Sequence, residues 1–357
     1  MKTAIIGLPM VGKTSLFTIM TGVHQETRIG QTAARTGVAK VPDARLDALA
    51  KLFDPPKITH AAVEFVDLPA ISKETLRDPG YLAGLRVVDA FAQVLRLFAS
   101  DTIPHEKGSV DPLRDMEDVE MELVLSDLVV VEKRLERLEK ERKKIKNPEN
   151  DREFELLEKC KTTLEANRPL REMVLDADNE KRIRGFQFLS QKPMLYVLNI
   201  GEADVPRLHE IEEEYRAGAL KGRAQTEVTA VCGKIEAELA ELAAADALEY
   251  LASYGLKESG MQRLITASYR LLGLMSFLTA GETEVRAWTV PIGSTAVKAA
   301  GAIHSDFEKK FIRAEVVNWQ ALIDHGGYPG VKEKGLLRLE GKEYIVKDGD
   351  VLVIRHG

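Results

Sequence analysis

Gly7-Leu8-Pro9-Met10-Val11-Gly12-Lys13-Thr14 fits the phosphate-binding pattern G-x-x-x-x-G-K-[ST] at every fixed position. Each fixed position has its own task. The glycines let a loop turn so that the amides of Met10, Val11, Gly12, Lys13, Thr14 and Ser15 converge on phosphate oxygens. Lys13 is placed to reach the β- and γ-phosphates, and the Thr14 hydroxyl can ligate Mg²⁺. The flanking sequence agrees. Lys2-Thr3-Ala4-Ile5-Ile6 is an apolar, β-branched run suited to a buried strand. Thr14-Ser15-Leu16-Phe17-Thr18-Ile19-Met20 can continue as the helix whose N-terminus faces the phosphates. Strand, glycine-rich loop and helix together predict an α/β nucleotide-binding domain that takes a nucleoside triphosphate.

A chain of 357 residues has room for two or three domains. Its 45% hydrophobic and 30% charged content is that of a globular protein. No apolar run is long enough to cross a bilayer, and a strand beginning at Lys2 leaves no room for a leader, so a cytoplasmic protein with no membrane partner is expected. Two cysteines, Cys160 and Cys232, cannot build a disulfide framework and fit a reducing compartment. A net charge of −6 argues against a generic polyanion binder, and no DNA partner is expected. The seven histidines are scattered without paired ligand spacing, so no metal other than Mg²⁺ is indicated.

Strand-like runs alternate with helical patterns through the first part of the chain, the signature of a parallel sheet with crossover helices. The strand candidates are residues 4–6, 61–66, 91–98, 194–198 and 227–231. Between the third and fourth, from about 121 to 170, the character changes. Leu128, Val131, Leu135 and Leu138 recur at helical spacing among charged residues, Asn147-Pro148 breaks the run, and Phe154, Leu157 and Leu164 resume it. This predicts an antiparallel helical hairpin inserted into the nucleotide-binding domain. After about Phe277 the chain becomes β-rich, with strands expected at 284–290, 338–346 and 351–354 and a small helix at 294–302.

Asp67 ends the apolar strand Val63-Glu64-Phe65-Val66, where P-loop proteins place the carboxylate that holds the Mg²⁺ shell. GTPases continue as Asp-x-x-Gly, often with a water-orienting Gln next; here Ala70 replaces the Gly and Ile71 stands at the Gln position. Regulatory GTPases read guanine with Asn-Lys-x-Asp. The corresponding run is Asn199-Ile200-Gly201-Glu202, which keeps the Asn, loses the Lys and has Glu for Asp. Adenine lacks the 2-amino group that the Asp reads, so the change points to ATP, with GTP left open.

These residues resemble the YchF/Obg-like ATPases, a branch of the translation-factor-class P-loop GTPases. The resemblance runs over nearly the whole chain: residues 7–14, Val41-Pro42-Asp43-Ala44-Arg45-Leu46, Gly108-Ser109-Val110-Asp111-Pro112, Leu195-Tyr196-Val197-Leu198-Asn199, residues 234–239, and Thr279-Ala280-Gly281. Most specific is Ala300-Gly301-Ala302-Ile303-His304-Ser305-Asp306-Phe307-Glu308, followed by Phe311-Ile312-Arg313-Ala314-Glu315. It implies an OBG-type P-loop NTPase domain over residues 1–276 with a parallel-rich sheet and the helical insert, then a TGS-like β-grasp domain over 277–357. It also implies a cytoplasmic, ATP-preferring ATPase that associates with ribosomes, with ATP and Mg²⁺ as ligands and K⁺ as a candidate second cation. By the same resemblance, His105 is the loop histidine linked to hydrolysis and Cys232-Gly233 is the base-contacting loop, where the family usually has Ser-Ala. The switch I Thr falls on Gln31, with Thr32 adjacent.

Two further readings stay open at this point. Pro69 and Ala70 depart from the family's Asp-x-Ala-Gly and suit a protein that binds ATP without turning it over, a nucleotide-sensing adaptor reaching ribosome or RNA through hairpin and TGS domain. Lys133, Arg134, Arg137, Lys140, Arg142, Lys143, Lys144 and Lys146 make the hairpin tip the most basic segment, suited to RNA phosphates. Glu132, Glu136, Glu139 and Glu141 are interleaved, as in a solvated helix face.

Overall fold

The computed structural model describes residues 1–23, 34–72, 74–144 and 146–357. The switch I positions Gln31 and Thr32 lie outside the described residues. In chain order the strands are β1 (Lys2–Ile6), β2 (Arg35–Lys40), β3 (Ile58–Thr59), β4 (Ala62–Asp67), β5 (Ala90–Arg96), β6 (Met194–Asn199), β7 (Thr226–Val231), β8 (Leu274–Ala280), β9 (Val285–Pro291), β10 (Phe311–Asn318), β11 (Arg338–Glu340) and β12 (Asp350–His356). They form two six-stranded sheets, ordered β2-β4-β1-β5-β6-β7 and β11-β10-β12-β8-β9-β3.

Within the first sheet β4, β1, β5, β6 and β7 are parallel, as five strand candidates separated by helical patterns require. Met194 to Leu198 are 0% exposed, which is why this strand reads as a continuous apolar run. The parallel arrangement puts the ends of β1, β4, β5, β6 and β7 on one edge of the sheet. The P-loop, Asp67, the His105 loop, Asn199 and Cys232 all follow those ends. All five expected strands are present. β2 was not expected: Arg-Thr-Gly-Val-Ala-Lys buries only Gly37 and Ala39, a weak apolar signal at a sheet edge.

The chain forms two compact units, Met1–Gly37 with Glu64–Ala267, and Val38–Val63 with Ser268–Gly357. The first holds helix α1 (Lys13–Thr21); α2 (Ala44–Phe53) belongs to the second; α3 (Pro79–Arg86) and the long helices α4 (Pro112–Lys144) and α5 (Pro148–Glu165) return to the first. The hairpin is antiparallel; at the start of its second helix the Asn147 side chain caps α5 through the Glu149 amide (3.0 Å) and Pro148 takes the first helical position. Val131, Leu135, Leu138, Leu157 and Leu164 form its core, the residues whose spacing foretold it, together with Cys160. Helix α4 begins at Pro112, about nine residues before the expected start near 121. Its first turns bury Asp115, Glu120 and Asp127 beside Met116, Val119 and Leu123, and inward carboxylates mask the periodicity.

The second unit differs from the expected 277–357 domain by starting at Ser268 and by including residues 38–63. The early segment is held there by specific contacts. The Arg45 guanidinium donates to Asp348 (2.8 and 3.2 Å), Thr59 donates to Glu284 (2.6 Å), the Phe53 and Tyr328 rings lie 5.7 Å apart, and β3 pairs with β9. The expected 284–290 strand and 294–302 helix are seen as β9 and the helix Ala296–Ile303. The strand expected over 338–346 stops at Glu340, because the chain turns at Gly341, whose carbonyl accepts the Tyr344 amide.

Candidate nucleotide-binding site

The P-loop is built on unusual backbone. Gly7, Met10 and Gly12 all have positive φ (140°, 60° and 101°), so successive amides turn inward. The glycines are steric requirements. A Cβ on Gly7 would stand 2.7 Å from the Val94 carbonyl, and one on Gly12 would stand 2.5 Å from the Asn199 amide nitrogen. Helix α1 follows at once with no side-chain cap and no acidic residue in its first turn, leaving its N-terminal amides to an anion.

Lys13 is buried and donates from Nζ to the Leu8 carbonyl (2.6 Å). Burial pushes its ammonium down to about 8, although Asp67 and Glu106 both pull it upward. The Thr14 hydroxyl donates to Asp67 Oδ2 (3.0 Å). The other carboxylate oxygen, Oδ1, is buried without a hydrogen-bond partner among the described residues. Burial raises the Asp67 pKa, opposed by the Thr14 hydroxyl and the Lys13 charge. A hydroxyl beside an orphaned carboxylate oxygen is a hard, oxygen-only donor set, which fits Mg²⁺. Among the described residues no group of three or more His, Cys, Asp or Glu could hold another metal ion.

Next to the phosphate cradle lies a cavity of about 560 Å³. Met10, Gly12, Ser15, Asn199, Ile200, Glu202 and Cys232, all named from sequence, line it together. Phe98, Ile103 and Lys234 complete it and were not anticipated. The strand expected over 91–98 stops at Arg96, so Phe98 joins Ile103 in the loop that follows, positioned by Arg96 at the end of β5. That guanidinium donates to the Phe98, Ile103 and Pro104 carbonyls and stacks 4.5 Å from the Phe98 ring. Val11 is 1% exposed and contributes backbone: its carbonyl accepts the Asn199 Nδ2 proton (2.9 Å). Asn199 Oδ1 accepts the Gly233 amide (3.1 Å), so this side chain ties the P-loop to the loop after β7. Glu202 is ion-paired with Lys234 at the cavity rim. Cys232 is buried, and desolvation raises its thiol pKa.

The segment after β4 from Leu68 to Ser72, the switch II position of P-loop GTPases, is anchored at several points. Leu68 and Ile71 are buried, the Ile71 amide donates to the Gly7 carbonyl (3.2 Å), Tyr81 donates to the Pro69 carbonyl (2.9 Å), and Thr75 donates to the Ala70 carbonyl (3.2 Å). His105 does not face the cavity with a free nitrogen. Its Nε2 is 2.8 Å from Asp115 Oδ2, and its Nδ1 accepts the Lys107 amide (3.1 Å). Its neighbours Ile103, on the cavity wall, and Glu106, whose charge acts on Lys13, keep the loop at the site.

A family model named YchF-GTPase_C, described as a protein of unknown function (DUF933), matches residues 274–357. The chain is 41% identical over 367 residues to the "Ribosome-binding ATPase YchF" of Bacillus subtilis, covering 99% of both chains. It is 39% identical over 360 residues to the protein of the same description in Escherichia coli O157:H7, covering 98% of each. The solved structure of the Schizosaccharomyces pombe YchF GTPase superposes with a TM-score of 0.85 at 28% identity, over 99% of this chain and 97% of that one. The likeness thus extends over nearly the full length of these relatives, and the chain belongs to the YchF family.

Proposed function

We propose that this protein is a ribosome-associated ATPase that binds ATP with Mg²⁺ and hydrolyses it slowly to ADP and phosphate. The carrying observation is the single cavity in which a phosphate cradle meets an apolar base slot that no longer presents a guanine reader. Asn199 is spent on bridging two loops, and Glu202 is neutralised by Lys234, so neither offers the paired acceptors that guanine N1–H and its 2-amino group need. Adenine can enter the same slot against Phe98, Ile103, Leu16 and Ala237 without leaving a buried donor unpaired. Relatives at 39–41% identity carry the description of ribosome-binding ATPases, which supports both the reaction and the partner.

Thr14 and Asp67 would hold Mg²⁺, which when bound neutralises phosphate charge. Lys13 leaves the Leu8 carbonyl to reach the β- and γ-phosphates, and the α1 amides hold the α- and β-phosphates. With Ile71 in place of a Gln, water must be positioned by His105 or by a bound partner. The anchoring of switch II through Pro69, Ala70 and Ile71 accounts for a low intrinsic rate. The hairpin tip suits rRNA phosphates: Arg134 pairs with Glu153 and Arg142 with Asp151, while Lys133, Arg137, Lys140, Lys143, Lys144 and Lys146 make no ion pair among the described residues. The β-rich second unit takes the place of a TGS domain, K⁺ is a candidate activator, and the protein works in the cytoplasm.

Competition for a fluorescent ATP analogue tests the base reading. ATP is expected to displace it at least about tenfold better than GTP, roughly the discrimination of one unmet buried donor. Equal displacement by GTP would overturn it.

A further inference from the structure

His105 and Asp115 form a closed pair. The ring and the carboxylate are 4% and 2% exposed, and both ring nitrogens are occupied. Because Nδ1 accepts the Lys107 amide, the proton of the neutral ring sits on Nε2 and is donated to Asp115 Oδ2. Asp115 is fixed from the other sides. Its Oδ1 accepts Arg114 Nε and Nη2 (3.0 and 2.7 Å), and Arg114 is itself tied to the Ser109 hydroxyl and carbonyl (3.0 and 2.8 Å). The buried Gln93 of β5 donates to the Asp115 carbonyl (3.1 Å). Asp115 lies in the first turn of α4, the helix that runs on to the hairpin tip. A ring held in this way has no nitrogen for a water molecule, although Arg96 pins the preceding residues to the nucleotide cavity and Glu106 acts on Lys13. Gly108, with φ 76° and open space around it, lies in the segment between the two partners.

We propose that Asp115 is a positioning residue that parks His105 away from the nucleotide, so that the first turn of the hairpin helix α4 controls how often the ring reaches the γ-phosphate water. This rests on the reading of His105 given above. A partner that displaces the start of α4 weakens the His105–Asp115 bond and raises the share of released ring, and a nucleotide that engages the ring pulls in the same direction.

The test uses the full chain. In D115N the acceptor keeps its size but loses its charge, which roughly halves the strength of the bond. Ribosome-free kcat for ATP is expected to rise about three- to tenfold with KM little changed, and the rise should vanish in H105A/D115N. Arg114→Met, which leaves both partners in place, should move kcat the same way by a smaller factor and covers the case of a misfolded D115N. ¹⁵N spectra of the His105 ring should show Nε2–H with Nδ1 accepting in the nucleotide-free protein, and a changed signature with Mg²⁺ and a non-hydrolysable ATP analogue. A fall of D115N kcat toward that of H105A would overturn the proposal by making the pair the working arrangement. A ring spectrum that ignores the analogue would overturn it as well. H105A turning over ATP at the wild-type rate would remove the reading of His105, while the spectrum would still decide the latch.

Discussion

Lys13 shows what the site costs the molecule before nucleotide arrives. Its ammonium is buried against one carbonyl and its pKa lies near 8, below the ordinary lysine value of 10.5. Between those two values the unfolded chain binds more protons than the folded one, so this residue's penalty is full below about pH 8 and fades as pH rises toward the unfolded value. Lys13→Met is therefore expected to stabilise the nucleotide-free protein at pH 7 by about 2–3 kcal/mol. The gain should shrink at pH 9, and Mg-ATP should no longer raise the variant's Tm. Thermal unfolding at both pH values, with and without Mg-ATP, checks this; a variant less stable than wild type at pH 7 would contradict it. This charge state was not readable from sequence, which placed Lys13 at the phosphates but not its depth. Asn199 was likewise named as a base contact, and only the fold shows its two ends committed to Val11 and Gly233.

Among the elements, the parallel strands were legible because burial on both faces writes them as apolar runs. Long pairings that depend on polar groups were not. Asp127 in α4 accepts the Leu189 and Ser190 amides (2.9 and 2.7 Å) and the Ser190 hydroxyl (2.7 Å), fixing the hairpin to the segment that leads into β6. Burial pushes its carboxyl up to about 6. Nearby, Glu120 receives Arg171 and the Tyr196 hydroxyl of β6, a second buried link between α4 and the strand that ends at Asn199. In sequence these carboxylates interrupt the apolar periodicity and hide the first turns of α4. Asp127→Ala leaves three buried donors unmet and is expected to cost about 3 kcal/mol. Urea unfolding measures it, and a loss below about 0.5 kcal/mol, the range of surface substitutions, would contradict the account.

Across the whole molecule each unit is built from two separate stretches of chain, and the nucleotide domain is interrupted by residues that complete the C-terminal one. No local pattern announces this, since it rests on pairs hundreds of positions apart, such as Arg45 with Asp348. In the function proposed above, the ribosome contact falls to the hairpin. Reversing charge at Lys143 and Lys144 (both to Glu) should reduce ribosome co-sedimentation, most at moderate salt, and leave ribosome-free ATP turnover unchanged. Unchanged co-sedimentation would move the contact elsewhere.

If cradle, base slot and ribosome act together as one ATPase, phosphate release from ATP in Mg²⁺ and K⁺ should be slow, above a Lys13→Ala blank, and faster once ribosomes are added. Release no faster than the blank under both conditions, in a preparation that binds ATP, would contradict this and leave a nucleotide-sensing adaptor.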